Sequence, residues 1–159
     1  MKLIAFNLLA RADQGARIAV IAAAGLMVTV VSAQVVLRYL FNSSLDWAEE
    51  VSRLAFLCTV FLAIPLGIRD GTHVSIELVV SRLPMIPAIW LRRTTNALAG
   101  AMLLIVAWAT VAIAAATWSE RLGAINVTSS VFFFPVIIGA VHSALHLLHL
   151  AIWPADEMK

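Results

Sequence analysis

The sequence predicts an all-α integral membrane protein with four transmembrane helices, short interfacial helices and both termini in the cytoplasm. Hydrophobic residues make up 62% of the 159 residues and charged residues only 13%, whereas a soluble domain is about half apolar and about a quarter charged. Long intervals carry no charged side chain at all. The formal net charge of +2 is too small to indicate nucleic acid as a partner, and residues 1–159 are expected to form one membrane domain.

The charge-free intervals locate the membrane spans. Twenty residues separate Arg17 from Arg38, and twenty-six separate Arg93 from Glu120. Each interval meets the roughly 20 residues that a helix needs to cross a hydrocarbon core of about 30 Å. A third interval follows residue 121 and ends in an apolar run. These three intervals and the span 47–68, which is discussed next, predict transmembrane helices at 18–39, 47–68, 94–118 and 131–153.

The second span is too short unless it begins before its apolar part. Its charge-free interval, 54–68, has fifteen residues, which is about 22 Å of helix. Ser43-x-x-Asp46 resembles a capping box and predicts a helix start just before Trp47. A helix that begins there is long enough, but it places Glu49, Glu50 and Arg53 at the membrane edge.

The distribution of basic residues predicts the orientation. The N-terminal tail, the second connection and the C-terminus carry eight Lys and Arg residues, whereas the other side carries Arg38, Arg53 and Arg121. The positive-inside rule therefore places both termini in the cytoplasm. Residues 2–15 and 71–87 are predicted to form short interfacial helices, although the alternation from Val74 to Val80 also fits a strand. A signal-peptidase-like site ends at Ala33, but the apolar run continues past it.

The charged start of the second helix has two interpretations. Glu49 and Arg53 lie four residues apart, in the order that favours an ion pair on a helix. Acidic residues also favour a helix N-terminus, so the segment can be a solvated helix start. Alternatively, one arginine beside Asp46, Glu49 and Glu50 leaves charges at the membrane margin that a neighbouring subunit has to satisfy. We favour the second interpretation.

A stripe of histidines on the last span raises the possibility of haem. His142, His146 and His149 follow one face of a helix at i, i+4 and i+7. Imidazoles ligate haem iron, but haem usually needs a second ligand from a facing helix, and His73 lies in a connection. The alternative is contact with headgroups or a neighbour at the cytoplasmic surface. We expect no cofactor, and because no catalytic motif occurs in the sequence, we expect no enzymatic activity.

Two motifs resemble one transporter family. The pattern Arg-Tyr-x-Phe-Asn-x-Ser-Leu-x-Trp-Ala-Glu-Glu-x-x-Arg at 38–53 is similar to the signature of the small membrane subunit of TRAP transporters, the tripartite ATP-independent periplasmic carriers. The run Gly-x-Arg-x-Gly-x-His-Val-x-Ile-Glu at 67–77 resembles the second signature of that family, with Glu77 where the family commonly has aspartate.

The resemblance implies a multi-pass subunit of the bacterial inner membrane that supports a large permease subunit. In this family the large subunit transports an organic acid with sodium, and a periplasmic binding protein delivers the substrate. The resemblance also implies that the signature residues contact these partners, with membrane lipid as the remaining surroundings. The residues concerned are Arg38, Asn42, Trp47, Glu49, Glu50 and Arg53 on the outer side and Arg69 and His73 near the cytoplasmic side. The alternative is an anchor subunit of a respiratory enzyme, with or without haem.

Overall fold

A computed structural model of the chain describes residues 2–69 and 84–152. Four α-helices account for most of them: α1 (Lys2–Phe41), α2 (Asp46–Arg69), α3 (Met85–Ala116) and α4 (Phe134–Ile152). A 3-10 helix, η1 (Ser129–Phe133), leads into α4. All four α-helices contain segments long and apolar enough to cross a membrane, which confirms the predicted all-α class with four membrane-spanning helices.

The helices pack in the spatial order α1, α2, α4, α3. Because α4 contacts both α2 and α3, it is the most enclosed of the four helices. In its most apolar 18-residue stretch 44% of the residues are buried, whereas in α1 the corresponding share is 6%. The contact between α2 and α4 is close, since a Cβ atom at Gly139 would overlap the backbone carbonyl of Phe61. Gly100 of α3 likewise lies against Leu148 of α4. Small residues let apolar helices approach closely where lipid, not water, surrounds them.

Replacing Gly139 with alanine is therefore expected to separate α2 from α4 and to lower stability. The added methyl group meets backbone rather than a flexible side chain, so relief requires a helix shift, at a cost of about 1–3 kcal/mol. The matched control is Gly25→Ala in α1, where an added Cβ has no neighbour within 4 Å. The measurement is the thermal unfolding midpoint of the detergent-solubilised chain, and equal midpoints for the two variants would contradict the close contact.

Helix boundaries differ from the predictions in several places, among them the last helix, which begins at Phe134 and not at 131 because a 3-10 helix precedes it. Residues 2–15 are not a separate interfacial helix, because α1 runs without interruption from Lys2 to Phe41. Helix α3 begins at Met85, not at 94, and accommodates Pro87 in its first turn, where backbone N–H groups have no helical partner to lose. It ends at Ala116, so Trp118 lies in the following turn.

The start of α2 also lacks the predicted capping box. The helix begins at Asp46, and the nearby hydroxyl contact joins Ser44 to the Asp46 carboxylate (Oγ to Oδ1, 3.3 Å). Ser43 instead donates its backbone N–H to the Leu37 carbonyl at the end of α1 (3.3 Å). Most of the predicted interfacial helix at 71–87, and Trp153 at the end of the last predicted span, lie outside the described residues.

Candidate functional site

Polar contacts gather at the two ends of the helix bundle. Glu50 near the start of α2 and Arg69 at its end are nineteen residues apart, which is about 28 Å of helix. This distance matches the roughly 30 Å thickness of the hydrocarbon core. The two ends of α2 therefore fit the two surfaces of a bilayer, and we refer to them as the Glu50 end and the Arg69 end.

At the Glu50 end, one carboxylate holds the loop between α3 and η1. Glu50 accepts hydrogen bonds from the backbone N–H groups of Ala124 (to Oε1) and Ile125 (to Oε2), both at 2.9 Å. Adjacent N–H groups that point to one carboxylate form a small anion-binding nest. The sequence analysis assigned Glu50 to a partner interface. Within the chain its carboxylate already has two donors, so the interface role stays a prediction.

The loop held by Glu50 is also tied to itself. The Thr128 hydroxyl donates to the Trp118 carbonyl (2.7 Å), and Ser129 donates its N–H to the Glu120 carbonyl (2.9 Å). Ser130 is fully buried and donates its hydroxyl to the Ala114 carbonyl at the end of α3 (2.6 Å). These hydrogen bonds pair backbone N–H and C=O groups of a loop that is not part of a regular helix or sheet. The loop is therefore a structured surface at this end of the molecule.

Glu49 and Arg53 form the ion pair that their spacing predicts. Arg53 Nη2 lies 2.9 Å from Glu49 Oε1, and both side chains are more than half exposed (59% for Arg53 and 73% for Glu49). An exposed pair of this kind contributes at most about 1 kcal/mol. Either side chain can therefore leave this pair and bind a charged group of another protein at little cost in free energy.

The other predicted residues at the Glu50 end lie in the last turn of α1, in the connection to α2 and in the first turn of α2. Trp47 is 44% exposed, and Arg38 is exposed in the last turn of α1. Asn42 has a φ of 48°, a left-handed conformation that asparagine tolerates better than most residues. Its evident role is to end α1 and turn the chain toward α2, in addition to any contact with a partner.

At the Arg69 end, a buried aspartate joins three helices. Asp13 of α1 is only 2% exposed. Its Oδ1 lies 2.7 Å from Nε2 of His146 and 3.0 Å from Nε2 of His142, both in α4. Its Oδ2 lies 3.2 Å from Nη1 of Arg69 at the end of α2. A buried carboxylate is costly without such partners, so these contacts fix α1, α2 and α4 relative to each other.

Asp13 is the site residue that the sequence analysis missed. It is the only acidic residue before position 46, and a lone acid in an apolar helix that also contains a basic flank is a signal for a buried ion pair. Treating 2–15 as a separate surface helix removed that signal. The histidine stripe was recognised, but headgroup or partner contact was expected for it, whereas His142 and His146 contact Asp13.

The contacts of Arg69 and the histidines bear on two further predictions. Arg69 was assigned to a partner contact, and within the chain it pairs with Asp13 while remaining 54% exposed. His73, assigned to the same contact, lies outside the described residues. In the observed arrangement the Nε2 atoms of His142 and His146 both face the carboxylate of Asp13. A haem would have to displace this carboxylate to reach either nitrogen, so the geometry does not favour the haem alternative.

Comparison with known proteins identifies the family. A family model described as "Tripartite ATP-independent periplasmic transporters, DctQ component" matches residues 27–155. The chain belongs to this DctQ family. The match covers the Glu50 end, α3 and the histidine-bearing helix, and it begins after Asp13.

Two relatives of the DctQ-family chain come from Haemophilus influenzae, and both are named TRAP transporter small permease protein. One is 24% identical over 116 residues, which cover 73% of this chain and 70% of the relative. The other is 42% identical over 59 residues, which cover 37% of each protein. Together with the four apolar helices, the DctQ match describes a multi-pass protein of the bacterial inner membrane that is a transporter component. Proteins of this family work with a large permease subunit and a binding protein.

Proposed function

We propose that the chain is the small scaffold subunit of a TRAP-type secondary transporter. In this role it supports a large permease subunit during sodium-driven uptake of an organic acid that a periplasmic binding protein delivers. The chain itself performs no catalytic step. Both termini lie in the cytoplasm, so the Glu50 end faces the periplasm and the Arg69 end faces the cytoplasm.

The observation that carries the proposal is the exposed surface at the Glu50 end. Tyr39, Leu40 and Phe41 are 81%, 74% and 69% exposed at the end of α1, and Trp47 in the first turn of α2 is 44% exposed. Lipid also covers exposed apolar side chains, and several on α3 are equally exposed. The exposure at the Glu50 end points to a protein partner because it occurs together with an exposed ion pair that can change partners. A bilayer covers apolar side chains but offers no specific partner for the charged pair. A neighbouring membrane subunit can contact both the apolar side chains and the charged pair.

Arg38, Trp47, Glu49 and Arg53 are proposed to contact the partners directly at this end. Glu50 and Asn42 act mainly by shaping the surface, because one holds the loop and the other ends α1. Near the cytoplasmic surface, the exposed part of Arg69 contributes to a second contact together with His73. The bilayer covers the remaining apolar faces of α1 and α3.

Co-purification with the large subunit tests the proposed interface. The test variants are Trp47→Ala and the charge exchange Glu49→Arg with Arg53→Glu, which keeps an i,i+4 pair but reverses the charges that a partner meets. Truncation of an interface tryptophan commonly costs about 2 kcal/mol or more, so we expect at least tenfold less large subunit in each eluate.

The matched control is Trp108→Ala, which removes an equally large side chain, 76% exposed, from the second half of α3. We expect it to retain the large subunit. Equal losses from Trp47→Ala and Trp108→Ala would contradict an interface centred on the Glu50 end.

Uptake in proteoliposomes tests the transport role separately. The large subunit, the binding protein and a sodium gradient should give substrate uptake only when this chain is present. The chain reconstituted alone should give none, because the described part of its spans contains few polar side chains. Sodium-driven uptake by this chain alone would overturn the scaffold assignment.

A further inference from the structure

Three metal-binding side chains converge at the Arg69 end. The donor atoms of Asp13, His142 and His146 all lie within 4.8 Å of one another. The two histidines are four residues apart on α4, so their imidazoles share one helix face, and their ring centroids are 5.0 Å apart. Two imidazole nitrogens and one carboxylate oxygen form a donor set that suits Zn²⁺ and similar divalent transition metals.

A buried unpaired nitrogen provides an independent indication of a ligand. Nε2 of His142 is buried and, within the described residues, has no hydrogen-bond partner. It lies 3.0 Å from Asp13 Oδ1, but only His146 is aligned for a hydrogen bond to that oxygen, at 2.7 Å. Buried polar atoms are nearly always paired. A metal ion between the three side chains would use the lone pair of this nitrogen.

We propose that Asp13, His142 and His146 form a binding site for a divalent transition metal of the Zn²⁺ type. The inference does not depend on the transporter assignment, because it rests on the side chains of α1 and α4 alone. Around a tetrahedral ion, neighbouring ligand atoms are about 3.3 Å apart. The observed separations from Asp13 Oδ1 are 2.7 and 3.0 Å, and all three donor atoms lie within 4.8 Å of one another. Side-chain movements of roughly 1 Å therefore bring the three donors to the separations of a tetrahedral site.

The surroundings of Asp13 suit a ligand carboxylate. Arg69 binds Oδ2, which leaves Oδ1 for the metal, and ligand carboxylates are commonly held by such outer hydrogen bonds. Asp13 also lines a polar recess between α1 and α2, together with Gln14, Arg17 and Arg69. Because Arg69 is 54% exposed, solvent screens its repulsion of a cation.

Cobalt binding tests the proposal. The chain is purified with a tag that contains no histidine, stripped with a chelator and titrated with Co²⁺. We expect the intense visible absorption of four-coordinate Co²⁺ at one ion per chain, and its loss when Zn²⁺ is added. His142→Gln and His146→Gln should each weaken binding by at least about tenfold, whereas His149→Gln, one turn further along α4, should leave it unchanged.

X-ray absorption of the Zn²⁺-loaded wild-type chain provides a measurement that needs no variant. Two imidazoles and one carboxylate in the scattering would support the site even if the histidine variants fail to fold. A wild-type chain that gives no cobalt absorption overturns the proposal. Binding that survives in both His142→Gln and His146→Gln, or X-ray absorption without two imidazoles, overturns it equally.

Discussion

Replacing Asp13 with alanine is expected to destabilise the chain by about 3 kcal/mol, near the lower end of the 3–5 kcal/mol typical for breaking a buried ion pair. The substitution leaves the buried imidazole of His146 without its acceptor and removes the carboxylate that lies 3.0 Å from Nε2 of His142. The half-exposed Arg69 can turn to water, which is why we expect the lower end of the range. The measurement is the thermal unfolding midpoint in detergent with a chelator present, so that metal binding does not contribute.

Two further variants separate the charge of Asp13 from its shape. Asp13→Asn keeps an oxygen that can accept from His146 but removes the attraction to Arg69, and it should fall between wild type and Asp13→Ala. Glu120→Ala is the matched control, because Glu120 is an exposed acid in the loop after α3. A midpoint for Asp13→Ala that equals that of Glu120→Ala would falsify the idea that this carboxylate holds three helices together.

Replacing Glu50 with alanine is expected to release the loop between α3 and η1. The variant loses both acceptors for the N–H groups of Ala124 and Ile125. Hydrogen bonds to a charged group contribute about 1.5–3 kcal/mol each, and 1.4 kcal/mol corresponds to a factor of ten. We therefore expect amide hydrogen exchange at these two positions to accelerate by about tenfold or more, measured by mass spectrometry of peptides that cover 119–128.

Glu49→Ala is the control for this experiment. It removes an adjacent carboxylate that contacts only Arg53 among the described residues, so loop exchange should match the wild type. If the two variants exchange at the same rate, Glu50 does not hold the loop. The comparison also separates two ways of weakening a partner contact, because Glu49 would act directly and Glu50 through the shape of the loop.

The membrane helices were predictable from the sequence because the cost of burying charge sets their limits. Intervals without charged residues located all four. Helix ends were less predictable: α1 continues through its basic N-terminal segment, and α3 begins nine residues before the predicted start. A helix can extend beyond the hydrocarbon core into the interface, where charged side chains are tolerated, so charge marks the span rather than the end of the helix.

The contacts between helices could not be predicted from the charge-free intervals or from helical periodicity. Helical periodicity places His142 and His146 on one face, but it contains nothing about which residue of another helix meets them. Asp13 is 133 residues from His146, and Glu50 is 74 residues from Ala124. Both contacts depend on the packing order of the helices. The sequence does indicate that Asp13 and Glu50 each require a polar partner, since both carboxylates lie at the margins of apolar helices.

The uninterrupted course of α1 has a mechanical consequence. At about 1.5 Å per residue its forty residues measure about 60 Å, twice the thickness of the hydrocarbon core. Asp13 contacts Arg69 and His146, and the eleven residues before it continue the helix for about 16 Å. The Asp13 carboxylate therefore couples the position of this N-terminal segment to α2 and α4.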